Sequence, residues 1–302
     1  MRAIRIREPG GPKVLELCER PTPVPSPGQV LVDVTAMGVN RADALQRRGL
    51  YPPPPGCPED IPGLEVAGRA NGQRVMTLVP GGGYAEQVVV HERELIPVPD
   101  GWTDAEAGAA AESYLTAFDA LFERGHARAG ERVLVHAVGS GVGLAVVELA
   151  RAAGLHTVGT SRSPEKLARA VERGLHTPVL VGDGAPLPEV DIVIDLVGGR
   201  GVTASLKALA PQGRLVVVGL LAGATAELPL GLLLSRRLHI EGTVLRSRPI
   251  EEKIALSRAF TARGLGLVRP PVVDSVYPAS EAAAAHRRME DNASFGRIVL
   301  TW

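Results

Sequence analysis

Arg132-Val133-Leu134-Val135-His136-Ala137-Val138-Gly139-Ser140-Gly141-Val142-Gly143-Leu144-Ala145-Val146-Val147-Glu148-Leu149-Ala150 decides the reading of this chain. Residues 132–138 form an apolar run of strand length. Residues 142–153 continue with apolar positions on nearly every side, as in a helix packed tightly on a sheet. The glycine-rich turn between them lets backbone approach a pyrophosphate. The helix that follows presents N–H groups and a partial positive charge at its start. Many tight turns are rich in glycine. The apolar strand before this one and the packed helix after it make it a candidate phosphate-binding turn.

Alternation continues outward on the C-terminal side. A strand is expected over 156–161. Ser163-Pro164 then supplies an N-cap and an N1 proline, and Gly174 closes the helix. Further strands are expected over 178–181, 191–197, 213–219 and 239–245. Near-continuous apolar strands separated by helices indicate a parallel sheet covered on both faces, the doubly wound Rossmann form of the α/β class. On the N-terminal side, residues 1–98 are strand-like and rich in turns. Runs at 30–36, 74–78 and 85–90 are broken by proline-rich stretches at 21–27 and 52–58. Thr103-Asp104 caps a helix expected over 105–122. Beyond Arg246 the pattern mixes helix (250–263), strand (272–277), helix (279–291) and strand (296–300). The division expected is a β-rich domain over 1–107, a dinucleotide-binding domain over 108–245, and a segment over 246–302 that packs back on the first.

The 302 residues carry 33 basic and 33 acidic side chains. No global field recruits nucleic acid or an anionic membrane. Aromatic residues make up only 3%, and the one local basic cluster is Arg236-Arg237 with Arg246 and Arg248, so a base-stacking track is disfavoured. The start, MRAIRIREPGG, reads as a strand and not a signal peptide. Residues 133–153 are interrupted by Gly, Ser, His and Glu148, so they do not read as a membrane span. Cys18 and Cys57 are the only cysteines, which argues against a disulfide framework or a four-cysteine zinc site. A cytoplasmic location is expected.

The second strand selects the dinucleotide. An NAD-selective site usually places Asp or Glu at the end of that strand. Here it ends Gly159-Thr160-Ser161-Arg162-Ser163, and Glu165, the only acid before Lys166, falls inside the next helix. Arg162 and Lys166 can pair with a 2′-phosphate and Ser161 can donate to it. NADP(H) is the expected cofactor, against the plainer reading of two solvated surface cations. The turn residues Gly139, Ser140, Gly141 and Val142 would hold the pyrophosphate. Val197, Gly219, Leu220 and Leu245, at the ends of later strands, would line the same crevice.

Several stretches taken together resemble the medium-chain dehydrogenase/reductase superfamily. They are Gly38-Val39-Asn40-Arg41-Ala42-Asp43, Gly49-Leu50-Tyr51-Pro52, Pro62-Gly63-Leu64-Glu65-Val66-Ala67-Gly68, residues 136–143, and Asp195-Leu196-Val197-Gly198-Gly199. The resemblance spans the whole chain. It is narrower to the zinc-independent quinone oxidoreductases that include zeta-crystallin. It implies a GroES-like β-domain interrupted by a Rossmann domain, with the active-site cleft between them. One position departs: the family's phosphate turn reads Ala-x-x-Gly-x-x-Gly, and Ser140 stands at its middle glycine. Zinc-dependent members hold their metal through a Cys and a His at the positions of Asn40 and Leu64. Leu cannot ligate a metal and Asn is a poor zinc ligand, so no metal is expected.

Without a Lewis acid, the substrate expected is one that takes hydride readily, such as a quinone; an enone or 2-alkenal is the alternative. The resemblance places Asn40, Asp43 and Tyr51 around the nicotinamide and Thr116 near the cofactor. From the residues alone, Asp43 can equally cap a short helix over 42–48, and Tyr51 can pack on the prolines after it. His136, on a buried strand, reads as a satisfied core residue. Resemblance to zeta-crystallin also raises RNA binding, which the charge and aromatic content disfavour. The expected edge strand at 239–245 can pair with a second copy, and the resemblance favours a homodimer.

Overall fold

The computed structural model describes residues 1–182 and 186–302. They divide into two compact units. The second comprises Tyr114–Val244 with Leu267–Arg269. Its sheet has the strand order Thr177–Leu180, His156–Ser161, Arg132–Val135, Val190–Asp195, Leu209–Val217, His239–Gly242. Every neighbouring pair is parallel. In chain order this is 3-2-1-4-5-6, the doubly wound arrangement whose ligand crevice lies off the carboxyl ends of the strands. Leu134, Val158, Val193, Leu206 and Leu215 form its core.

Several bounds shift, the strand expected over 213–219 to Leu209–Val217 and that over 191–197 to Val190–Asp195 among them, and three differences have a visible cause. The first strand stops at Val135, because Ala137 takes a left-handed φ of 52° and starts the turn early. The last strand ends at Gly242, paired with Val217, so Leu245 belongs to the other unit. The helix expected over 105–122 is broken into Asp104–Gly108, Ala111–Phe118 and a π-helical stretch, Asp119–Arg124. Gly108 explains the first break. A Cβ there would lie 2.7 Å from that of Ala36, so the short helix sits too close to its strand for a side chain and is cut at a poor helix former. The expected caps are present. Thr103 Oγ1 accepts from the Glu106 amide at 3.2 Å, and the Glu106 carboxylate accepts from the Thr103 amide at 2.7 Å. Ser163 caps Pro164–Glu172 through the Lys166 amide at 3.2 Å.

The first unit comprises Met1–Ser113, Leu245–Gly266 and Pro270–Trp302. Its larger sheet runs Val273–Pro278, Arg297–Thr301, Gln29–Gly38, Glu65–Ala70, Gln73–Leu78, Ile96–Pro97, and Gln87–His91 also pairs with Gln29–Gly38. The strand Arg297–Thr301 pairs antiparallel with Gln29–Gly38, so the two distant segments share one sheet, while Arg2–Ile6 and Leu15–Glu19 pair apart from it. Val32, Met37, Val66, Tyr84, Val88, Ile298 and Leu300 fill the core. No helix among the described residues is long and apolar enough to cross a membrane.

Candidate functional site

The second unit assembles the residues expected at a dinucleotide. The turn after Arg132–Val135 leads into the helix Gly141–Ala152, with Ser140 as its N-cap. Ser140 Oγ accepts from the Gly143 amide at 3.1 Å. The serine that departs from the family pattern thus does the work of a cap, and its hydroxyl keeps a proton of its own to donate. Gly141 and Val142 are the first two helical residues, whose N–H groups have no acceptor within the helix. Gly143 cannot be replaced freely, since a Cβ would stand 2.7 Å from the carbonyl oxygens of Ala137 and Val138. That closeness packs the helix start against the turn, whose backbone amides are of the kind that hold an anion.

On the neighbouring strand, Ser161 is the last residue and its Oγ accepts from the Ser163 amide at 3.1 Å. Arg162 is exposed, and Lys166 lies in the first turn of the following helix. Val197 and Gly198 follow Val190–Asp195, and both amides donate to Asp195 Oδ1, at 2.8 and 2.9 Å. Gly219 follows Leu209–Val217, and Leu220 beside it is more than half exposed. The turn, Ser161-Arg162, Val197 and Gly219-Leu220 therefore share the carboxyl edge of one sheet. Thr116 is buried in Ala111–Phe118. His136 is satisfied as expected, its Nδ1 with Thr160 Oγ1 at 2.9 Å and its Nε2 with Ser205 Oγ at 2.8 Å.

The other predicted residues lie in the first unit, where two buried polar frames hold them. Asn40 is buried. Its amide nitrogen donates to Glu65 Oε1 (3.0 Å) and to the Gly38 carbonyl (3.3 Å), and its Oδ1 accepts from Arg297 at 2.9 Å. Arg297 also pairs with Glu65. Asp43 opens the second frame. Its carboxylate accepts from the Asn40 amide (2.8 Å), the Gly63 amide (3.1 Å) and Tyr84 Oη (3.0 Å). Tyr84 Oη lies 3.0 Å from His286 Nε2, and Arg47 donates to His286 Nδ1 at 3.0 Å. Arg47 is paired in turn with Glu290 at 2.6 Å. The arginine fixes the tautomer: Nδ1 accepts, so Nε2 carries the proton toward Tyr84. Burial pushes the Asp43 carboxyl up to about 6 despite those three donors, and pushes His286 down to about 3.

Tyr51 belongs to a third group. The Arg246 guanidinium lies 4.9 Å from its ring centroid and donates to its carbonyl at 3.0 Å. Burial raises the Tyr51 hydroxyl pKa. Arg246 and Leu245 line a small pocket with Leu64, Leu78, Val79, Pro80, Glu112 and Lys253. Sequence reasoning missed Tyr84, His286, Glu65 and Arg297 as partners of predicted residues. It took Arg246 only as part of a basic cluster. Of these arginines, Arg236 is bonded to the Lys207 and Leu209 carbonyls, Arg237 is exposed, and Arg246 is buried. The signal available was a lone arginine directly after the apolar Val244-Leu245.

Known proteins bear on this geometry. A family model described as the alcohol dehydrogenase GroES-like domain matches residues 26–100, and one described as zinc-binding dehydrogenase matches residues 141–261. The quinone oxidoreductase of Mus musculus is 34% identical, covering 99% of this chain and 97% of its own. The quinone oxidoreductase of Thermus thermophilus, solved alone and in complex with NADPH, is 37% identical with a TM-score of 0.87, covering 100% of both chains. The Escherichia coli quinone oxidoreductase complexed with NADPH is 25% identical with a TM-score of 0.85, again over 100% of both. A GroES-like unit joined to a doubly wound parallel sheet is the architecture of the medium-chain dehydrogenases/reductases. Within that class, the chain belongs to the quinone oxidoreductase family.

Proposed function

We propose that this protein is an NADPH-dependent quinone oxidoreductase that works without zinc. The observation that carries the reading is the state of Asn40 and Leu64. Leu64 is a buried hydrocarbon on the cavity wall, and the Asn40 amide is committed to Glu65, Gly38 and Arg297. Neither offers a lone pair suited to zinc where zinc-dependent relatives have Cys and His. NADPH supplies the hydride. The backbone turn from Gly139 to Val142, with Ser140, suits its pyrophosphate. Ser161 and Arg162, with Lys166 behind them, suit a 2′-phosphate, because the strand itself ends Thr160-Ser161-Arg162-Ser163 with no carboxylate in that run. Val197, Gly219, Leu220 and Thr116 are assigned to the cofactor as well, with Leu245 and Asn40. Tyr51 and Asp43 are assigned to the substrate side, Tyr51 by contact and Asp43 by holding Asn40 and Gly63 in place.

A panel of benzoquinones, naphthoquinones and enones, with NADPH or NADH as donor, tests this. Turnover of quinones with NADPH, and no zinc by elemental analysis, is the expected result. Turnover confined to enones moves the protein to the alternative activity. Stoichiometric zinc, or preference for NADH, refutes the corresponding part.

A homodimer through the edge strand His239–Gly242 completes the proposal. Ile240 and Val244 are exposed there, and the helix Leu230–Arg236 buries none of its side chains, with Leu234 81% exposed. Leu234→Asp would then elute as a monomer where the unaltered chain is a dimer by light scattering. A cytoplasmic location fits two free thiols, Cys18 and Cys57.

A further inference from the structure

The family reading absorbs the glycine-rich turn and the basic strand end, but leaves one buried cation without a task. Arg246 is 8% exposed. Its Nε donates to the Pro80 carbonyl at 2.7 Å, Nη1 to the Tyr51 carbonyl at 3.0 Å, and Nη2 to Gln46 Oε1 at 2.5 Å. Those three bonds use three of the five N–H groups of a guanidinium. The second hydrogens on Nη1 and Nη2 take no part in them. None of the three acceptors is a carboxylate. Burying a cation among neutral acceptors is expensive; the Asp43 and Glu112 carboxylates act on it through space and not through these hydrogen bonds, so its charge is only partly offset beside an apolar wall. That wall is Leu64, Leu78, Val79 and Pro80, with Glu112 and Lys253 completing the lining. Lys253 is already paired with Glu94 at 3.4 Å. The guanidinium lies over the Tyr51 ring, 4.9 Å from its centroid.

We propose that Arg246 is the electrophile of this site. It holds a carbonyl oxygen of the quinone and stabilises the negative charge that oxygen gains during reduction. The assignment rests on the quinone reductase reading above. It gives the position lined by Leu64 a fixed charge in place of a metal. The balance is simple. The quinone accepts a hydride, with its electron pair, from NADPH and becomes the hydroquinone monoanion, leaving NADP⁺. The charge of that monoanion sits on oxygen, within reach of the free Nη–H groups. A proton from solvent then completes the hydroquinone. Arg246 keeps its own protons throughout, because a guanidinium is a poor acid. A fixed cation aimed at developing oxyanion charge acts mainly on the transition state.

The test uses the full chain with Arg246→Gln and Arg246→Ala. The glutamine amide can still donate to a neighbouring carbonyl but carries no charge, so it separates charge from scaffolding. Removing an oxyanion donor typically lowers kcat about 100-fold. Arg246→Gln is expected to show that loss with NADPH affinity, read by fluorescence titration, unchanged. Added guanidinium ion is expected to restore part of the rate to Arg246→Ala and none to the unaltered enzyme. If alanine unfolds the chain, glutamine alone decides. A folded Arg246→Gln with kcat within about threefold of the original, or a folded Arg246→Ala that ignores guanidinium, overturns the assignment. An unaltered enzyme that reduces no quinone removes the reading on which the assignment rests, a result distinct from either.

Discussion

The chain Asp43–Tyr84–His286–Arg47 makes an unusual prediction about acid stability. Burial lowers the His286 imidazole from 6.5 to about 3. Its contribution to stability is therefore complete above pH 6.5 and is lost as pH falls toward 3, because the unfolded chain binds the proton and the folded one does not. Asp43 behaves oppositely. Its folded value is raised from 3.8 to about 6, so its contribution is complete below pH 3.8 and is lost as pH rises through 6. Going from pH 7 to pH 5, the histidine costs ~2 kcal/mol and the aspartate returns ~1.4 kcal/mol, at 1.36 kcal/mol per unit. The two nearly cancel. Asp43→Asn removes the compensation, and should lose ~1.4 kcal/mol more than the unaltered protein over that range. His286→Gln removes the acid-labile partner, and should gain ~2 kcal/mol relative to it. Both tryptophans, Trp102 and Trp302, lie in the unit that holds the chain. Urea unfolding followed by their fluorescence at pH 7 and pH 5 therefore reads this unit directly. A constant offset caused by either substitution does not matter, since only the change with pH is compared. Parallel pH profiles for all three proteins, within ~0.5 kcal/mol, would refute the reasoning.

Three further outcomes can be checked. Gly143→Ala places a Cβ 2.7 Å from the Ala137 and Val138 carbonyls and should weaken NADPH binding at least about tenfold by displacing the helix start; unchanged affinity in a titration would contradict the phosphate-turn assignment. Arg162→Glu should shift the NADPH-to-NADH affinity ratio toward NADH by about 10- to 100-fold, the worth of a charge-assisted bond, and an unmoved ratio would make Arg162 a bystander. Glu148 is buried and pairs with Arg269, Arg173 and Arg151, so Glu148→Ala should cost about 3 kcal/mol in chemical denaturation, whereas a loss under ~0.5 kcal/mol would mean that the cluster is effectively solvated.

The fold was legible where the pattern is local. The apolar strands and their caps, Thr103 and Ser163, follow from spacing and residue type within a few positions. The end of the first strand was not legible, because nothing in Ala137 announces a left-handed φ; a tightly packed turn imposes it. The break at Gly108 depends on how close Ala36 lies, a contact across more than 70 residues of sequence. The same limit governs the site. The turn from Gly139 to Gly143 and the strand end at Ser161-Arg162 are contiguous, so one reading finds each whole. The partners of Asn40 and Asp43 are Glu65, Tyr84, His286 and Arg297, drawn together from distant segments by the sheet. Only their residue types were visible, as ordinary polar side chains in apolar surroundings.

That difference shapes what Asn40 can be asked to do. Its amide nitrogen already has two acceptors and its oxygen one donor, which leaves a single lone pair for a ligand. Its backbone amide is held by Asp43, and Asp43 by Tyr84. Such a residue is better built to keep a surface rigid than to follow charge through a reaction. Arg246 has the complementary endowment: unspent donors, a full charge and a place over the Tyr51 ring. A metal ion brings its own charge and orders its ligands around it. A site without one must divide those duties, and here the buried frames supply the order while the arginine supplies the charge. On this division, substitutions in the frames, such as His286→Gln, should alter stability and its pH dependence with small effects on kcat. Substitution of Arg246 should do the reverse. A frame variant that folds normally yet loses kcat about 100-fold would show that the duties are not separated.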